Sequence, residues 1–266
     1  MGDYIDVEGH PTWVEARGRA VRDSQVVLLL HGGLSNSDLL LDMVEPTMAA
    51  KYALVAFDRR GHGRTADTPA PFHYEDMATE TVRVLEQVVG KQVHLVGFSD
   101  GGIIAMLVAL RIPERVGRLV LIGANFHVDG VQPLELSDDS PALTAIAESY
   151  AERSPDGPEH FGVVAEKAEA LFRSEPTMTT ADVGRIGAPT LVMVGDDDVV
   201  KLSHACALYE SLPAGQLAVI PGASHLVVLE KPGVVARFID DFLGSAWPPE
   251  TMMPFRRAHQ AASTGP

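Results

Sequence analysis

Six short runs along the chain are almost wholly apolar: Gln25–Leu30, Tyr52–Phe57, Val93–Phe98, Leu119–Ile122, Thr190–Val194 and Leu217–Ile220. They lack the alternation of a half-exposed strand, so they read as strands covered on both faces. Between them, Ser37–Lys51, Glu75–Val89, Gly101–Arg111 and Val234–Leu243 carry apolar residues at helical spacing. Alternating strands and helices predict an α/β fold with a mostly parallel, doubly wound sheet and right-handed crossovers. Upstream, Thr12–Arg17 alternates and is expected as an antiparallel edge strand.

The rhythm breaks between His127 and Ile186. This stretch holds no convincing strand but three helical segments, Ala142–Arg153, Glu159–Phe172 and Thr180–Ile186, punctuated by Pro141, Pro155, Pro158 and Pro176. It is too long for a simple connection and is expected to form a helical cap over the sheet's edge. The organisation is therefore a core of residues 1–126 and 187–247, a cap of residues 127–186, and a tail of residues 248–266. The tail, with Pro248, Pro249 and Pro254, is expected to be irregular.

Charge narrows the partners. The 266 residues hold 36 Asp and Glu against 21 Lys and Arg, a net −15. The cap alone has twelve acidic residues against four basic ones, a net −8. Such a surface repels phosphate backbones and anionic lipid, which argues against nucleic-acid or membrane partners. The acidic cap is either a solvated face or a field that draws cationic substrates. A lone cysteine, Cys206, allows neither an internal disulfide nor a cysteine zinc site. The longest apolar stretch, Gly101 to Leu110, is far short of a bilayer span, and the acidic start lacks the basic and apolar regions of a signal peptide. These features point to a soluble, cytoplasmic protein.

The candidate chemistry centres on Gly97-Phe98-Ser99-Asp100-Gly101, a G-x-S-x-G pentapeptide. Chance places such a string in this composition about 0.1 times, so the string alone is moderately specific. Its position is more telling, because it closes one expected strand and opens the next helix, as a nucleophile elbow requires. A serine hydroxyl needs a base, and the base an orienting acid. Of His127, His160, His204, His225 and His259, only His225 follows a strand, at the carboxyl end where such sheets build sites. The acid should follow the preceding strand, in Asp196-Asp197-Asp198, and spacing does not choose among the three. No H-E-x-x-H and no G-x-x-x-x-G-K-[ST] occurs, so neither a metal nor a nucleotide cofactor is implied.

These motifs resemble the α/β-hydrolase superfamily. The likeness rests on His31-Gly32-Gly33-Leu34 after a strand, Asp58-Arg59-Arg60-Gly61-His62-Gly63-Arg64-Thr65 after the next, the elbow, and the G-D-x-D and G-x-S-H ending. The stretch from Gly97 to Ile103 with Gly123-Ala124-Asn125 is similar to the valacyclovir-hydrolase (biphenyl-hydrolase-like) branch, which cleaves esters of α-amino acids. The resemblance implies Asp198 as the acid, with Asp197 the alternative. It implies an oxyanion hole from the Asp100 amide and that of Gly33 or Leu34. The expectation is a serine hydrolase of small carboxylic esters, with Ser99, His225 and Asp198 catalytic and no cofactor. Asp100 either caps its helix or a neighbouring loop, or binds a substrate ammonium. The alternatives are a lactone hydrolase, a C–C bond hydrolase or a perhydrolase of the same fold, and a ligand-binding signalling protein that retains the triad.

Overall fold

The chain opens with a hairpin of β1 (Gly2–Val7) and β2 (His10–Gly18), turned through Glu8 and Gly9, both at positive φ. The apolar runs follow as β3 (Val26–Leu30), β4 (Ala53–Phe57), β5 (Val93–Phe98), β6 (Val116–Ile122), β7 (Thr190–Asp197) and β8 (Gly215–Ser224). This computed structural model describes residues 2–132 and 140–255. Glu135, Asp138 and Asp139 of the expected cap, His259, and the tail from residue 256 onward lie outside the described residues.

All eight strands join one sheet in the order β1-β2-β4-β3-β5-β6-β7-β8. The pairs from β4 to β8 are parallel, whereas β1–β2 and β2–β4 are antiparallel. The expected edge strand Thr12–Arg17 is therefore not at the edge. It lies inside β2, covered by β1, whose sequence GDYIDV carries too few apolar residues to register as a strand.

Strand periodicity splits the core. Leu28, Leu30, Val55, Phe57 and Leu95 point to the face covered by α2 (Tyr74–Val84) and α3 (Asp100–Arg111). Val27, Leu29, Leu54, Val96 and Val120 point to the face covered by α1 (Asp38–Met48) and α9 (Pro232–Gly244). Because successive side chains point to opposite faces, each run must be apolar throughout, which is why the strands were legible.

Between β6 and β7 run α4 (Pro141–Arg153), α5 (Phe161–Ser174) and α6 (Thr180–Val183). The last is shorter than expected, since the helix stops at Gly184 instead of reaching Ile186. Among the described residues here no strand forms, only the isolated bridges His127–Thr177 and Val131–Val200. Asp67, in the loop after β4, fastens this segment down by accepting from Lys167 Nζ at 2.7 Å and contacting His160 Nε2 at 2.8 Å. Arg153 adds a 3.0 Å bond to Asp38. No described helix is long and apolar enough to cross a membrane. Two short elements complete the last crossovers: α7 (Leu202–Ser211) before β8, and α8 (Val227–Glu230) before α9.

Candidate active site

Ser99 sits between β5 and α3 with φ 51° and ψ −119°, a left-handed conformation that strains a residue with a Cβ. The flanking glycines make this possible. A Cβ on Gly97 would lie 2.2 Å from the Gly101 carbonyl oxygen, and one on Gly101 only 1.9 Å from the Leu30 carbonyl oxygen. The Ser99 amide donates to Ile122 O at 2.8 Å, which ties the turn to β6. The serine is thus held above the end of the sheet at the start of a helix.

His225 follows β8 and meets it there. Its Nε2 lies 3.0 Å from Ser99 Oγ, and its Nδ1 lies 2.8 Å from Asp198 Oδ1. A carboxylate at Nδ1 implies that this nitrogen carries the proton, leaving Nε2 to accept from the serine hydroxyl. The Asp198 side chain is fully buried and also accepts from the Val200 amide at 3.0 Å. Asp196 and Asp197 are exposed. The register of β7 against β8 is irregular between Gly195 and Asp197, and Asp198 follows the last residue of β7. Of the three adjacent acids, only Asp198 reaches His225.

The other histidines are engaged elsewhere. His204 stacks on Phe126 at 4.0 Å and accepts from its amide, and burial pushes its pKa down to about 4. His160 pairs with Asp67, and His127 accepts from the Asp129 amide.

The His31–Leu34 loop passes along the serine's flank. A Cβ on Gly32 would lie 3.4 Å from Ser99 Cβ, and one on Gly33 would lie 2.6 Å from Asp100 Oδ2. Leu34 adopts a left-handed φ of 53°. Asp100 is buried, and its Oδ1 accepts from the Tyr74 hydroxyl at 2.9 Å. Burial raises the Asp100 carboxyl above its ordinary range, while the charge of Arg59 and the Tyr74 bond oppose that rise.

Tyr74, Ser99, Asp100 and His225 wall a cavity of about 150 Å³, which Val131, Gln132, Phe172 and Glu175 also line. Three polar wall residues, Tyr74, Gln132 and Glu175, were not visible in the sequence. Tyr74 bonds Asp100 through its hydroxyl, and its backbone amide donates to Glu175 Oε2 at 3.0 Å. Glu175 also bonds His73 at 2.7 Å, a contact that raises the His73 pKa. The described lining thus holds two carboxylates and no Lys or Arg. Nothing in the one-dimensional pattern joins positions so far apart in the chain. Among the described residues no cluster is placed to hold a metal ion.

Chemically, the arrangement is a strained hydroxyl bonded to an imidazole that is itself bonded to a buried carboxylate. Such a relay can draw the proton from an attacking oxygen.

Known proteins align along most of the chain. Serine hydrolase BPHL of Homo sapiens is 26% identical over 236 residues, covering 82% of this chain and 78% of that protein. RutD of Variovorax paradoxus, a carbamate hydrolase candidate, is 28% identical over 264 residues, covering 88% of this chain and 96% of that protein. The solved enol-lactonase of Burkholderia xenovorans LB400 superposes with a TM-score of 0.73 at 16% identity, covering 91% of this chain and all of that one. The sequence model of the Alpha/beta hydrolase family matches residues 27–238, and with that span, this sheet order and this strand–serine–helix turn, the chain belongs to the alpha/beta hydrolase family.

Proposed function

We propose that the chain is a serine hydrolase of small carboxylic esters, with esters of α-amino acids as its preferred substrates. The observation that carries the reading is the continuous contact from Ser99 Oγ through His225 to buried Asp198, at 3.0 and 2.8 Å. Ser99 Oγ attacks the ester carbonyl as His225 Nε2 takes its proton. The carbonyl oxygen becomes an oxyanion, received by the amide of Asp100 and that of Gly33 or Leu34. His225 returns the proton to the departing alkoxide, leaving an acyl group on Ser99. Water, deprotonated by the same imidazole, attacks that acyl carbon and frees the serine. Asp198 holds the imidazole tautomer throughout.

The amino-ester preference rests on the wall. Asp100 and Glu175 give the cavity a negative lining, and the lining by Phe172 and Glu175 supports a cap role for the segment that carries them. The similarity to Serine hydrolase BPHL supports the serine dependence. A panel of p-nitrophenyl esters, amino-acid esters and lactones tests the reading with wild type and Ser99→Ala. Ser99-dependent turnover of esters supports it, and equal rates in the two proteins would refute it.

A further inference from the structure

Arg59 is the most unusual buried group in the molecule. Its guanidinium is shielded from solvent completely, and among the described residues it forms no ion pair with a carboxylate. Its Nε has no hydrogen-bond partner among the described residues. Carboxylates face this buried charge through space without bonding it, and what it bonds directly shows its role.

It touches one loop. Arg59 Nη1 donates to the His31 carbonyl at 2.7 Å, and Nη2 to the Gly32 carbonyl at 3.0 Å. The Gly32 carbonyl also faces His31 Nδ1 at 2.7 Å, while His31 Nε2 accepts from the Arg59 amide at 3.2 Å. The Gly32 carbonyl belongs to the peptide whose N–H is that of Gly33. In a trans peptide the two point in opposite directions. Pinning the oxygen toward Arg59 therefore aims the Gly33 N–H away from Arg59, and Gly33 itself packs against Asp100, the residue after the serine. A cation on the carbonyl also polarises the peptide and strengthens its N–H as a donor.

We propose that Arg59 is a positioning residue for the oxyanion site, holding and polarising the Gly32–Gly33 peptide so that the Gly33 amide receives the ester oxygen. The inference rests on the hydrolase reading above and chooses Gly33 over Leu34. Arg59 has a second effect through space. It faces Asp100 of α3, Glu80 and Tyr74 of α2, its neighbour Asp58, and the His31 and His62 rings. Its charge is the largest influence opposing the burial-driven rise at Asp100, where Tyr74 and His225 also face the carboxyl.

The test compares wild type with Arg59→Gln, which can still donate one bond without charge, and Arg59→Lys, which keeps the charge. Rates on p-nitrophenyl acetate are expressed per active site, counted by fluorophosphonate labelling of Ser99, so unfolded protein does not enter. Arg59→Gln is expected to lower kcat by about 10- to 100-fold with KM nearly unchanged, a fraction of the loss seen when an oxyanion donor is removed outright. It should weaken a trifluoromethyl ketone, whose adduct places an oxyanion in the same site, by a similar factor, and Arg59→Lys should recover part of both. With amino-acid esters, the acid limb of kcat/KM should move to higher pH, because Asp100 loses its opposing cation. A kcat per labelled site close to wild type, or a fall in kcat without weaker ketone binding, would overturn the proposal. So would an Arg59→Lys no better than Arg59→Gln. Absence of Ser99-dependent turnover in the wild type would overturn the hydrolase reading itself, and this inference with it.

Discussion

Asp100→Asn separates the two duties of the residue after the serine. The substitution keeps the backbone amide, and an asparagine oxygen can still accept from Tyr74, now at 2.9 Å from Oδ1. Only the charge goes. An ammonium about 4 Å from a carboxylate gains about 4 kcal/mol at the effective dielectric of a protein site. Stripping water from the ammonium takes part of this back, as does the raised Asp100 pKa. The net loss for an α-amino ester should be about 2–3 kcal/mol, or roughly 30- to 150-fold in kcat/KM. The assay is the ratio of kcat/KM for an amino-acid ester to that for its N-acetylated counterpart, measured across pH. His225 acts on both substrates alike, so its contribution cancels in the ratio. On the acid side, below the pH at which the substrate's own ammonium loses its proton, what remains in wild type is the Asp100 carboxyl. This carboxyl is raised by burial and must be ionised to bind the ammonium, so the preference should be present above its pKa and vanish as pH falls through it. In Asp100→Asn the ratio should be low and flat over that range. Equal losses on both substrates would mean that the carboxylate only supports the fold, and the amino-ester preference would be wrong.

Three further outcomes follow from individual contacts. Asp198→Asn should lower kcat on the order of 10³–10⁴-fold by disturbing the imidazole tautomer, while exposed Asp197→Asn should stay near wild type in the same ester assay. Gly101→Ala forces a Cβ to 1.9 Å from the Leu30 carbonyl, and urea unfolding should show a loss of more than about 3 kcal/mol or no folded protein. Glu80 is buried on α2, and burial lifts its carboxyl to about 7 against weaker opposition from Arg60 and Arg59. The folded state thus keeps a proton that the unfolded state releases, so this group's contribution falls as pH rises from about 4.5 to about 7. Glu80→Gln, compared with wild type by denaturant unfolding, should gain on the order of 2–3 kcal/mol in relative stability between about pH 5 and pH 8.

What was legible in the sequence is what steric or burial constraints write directly into residue type. Gly97 and Gly101 could be read because backbone carbonyls leave no room for a Cβ, and the parallel strands because both faces are covered. The inward placing of Asp198 was not readable from spacing, since three adjacent acids stand at the end of β7 and only the folded chain shows which one is buried against His225. Resemblance supplied that choice. β1 escaped because it pairs on one side only and exposes polar residues. Tyr74 and Glu175 escaped because an α2 amide and a residue after α5 meet only in the folded chain. Arg59 inverts the usual rule for its residue type. Its motif showed three arginines, and only the fold sends Arg59 inward while Arg64 reaches out to Asp38.

The central claim is that Ser99 becomes acylated with the help of His225. Intact-protein mass spectrometry after rapid acid quench of a reaction with p-nitrophenyl acetate tests it directly. His225→Ala, left able to react slowly but unable to deacylate, is measured alongside wild type and Ser99→Ala. An added acetyl group that maps to the peptide containing Ser99, accumulates in His225→Ala and is absent from Ser99→Ala is the outcome expected. Ester turnover with no adduct on Ser99 in any of the three proteins, or undiminished turnover in Ser99→Ala, would contradict it.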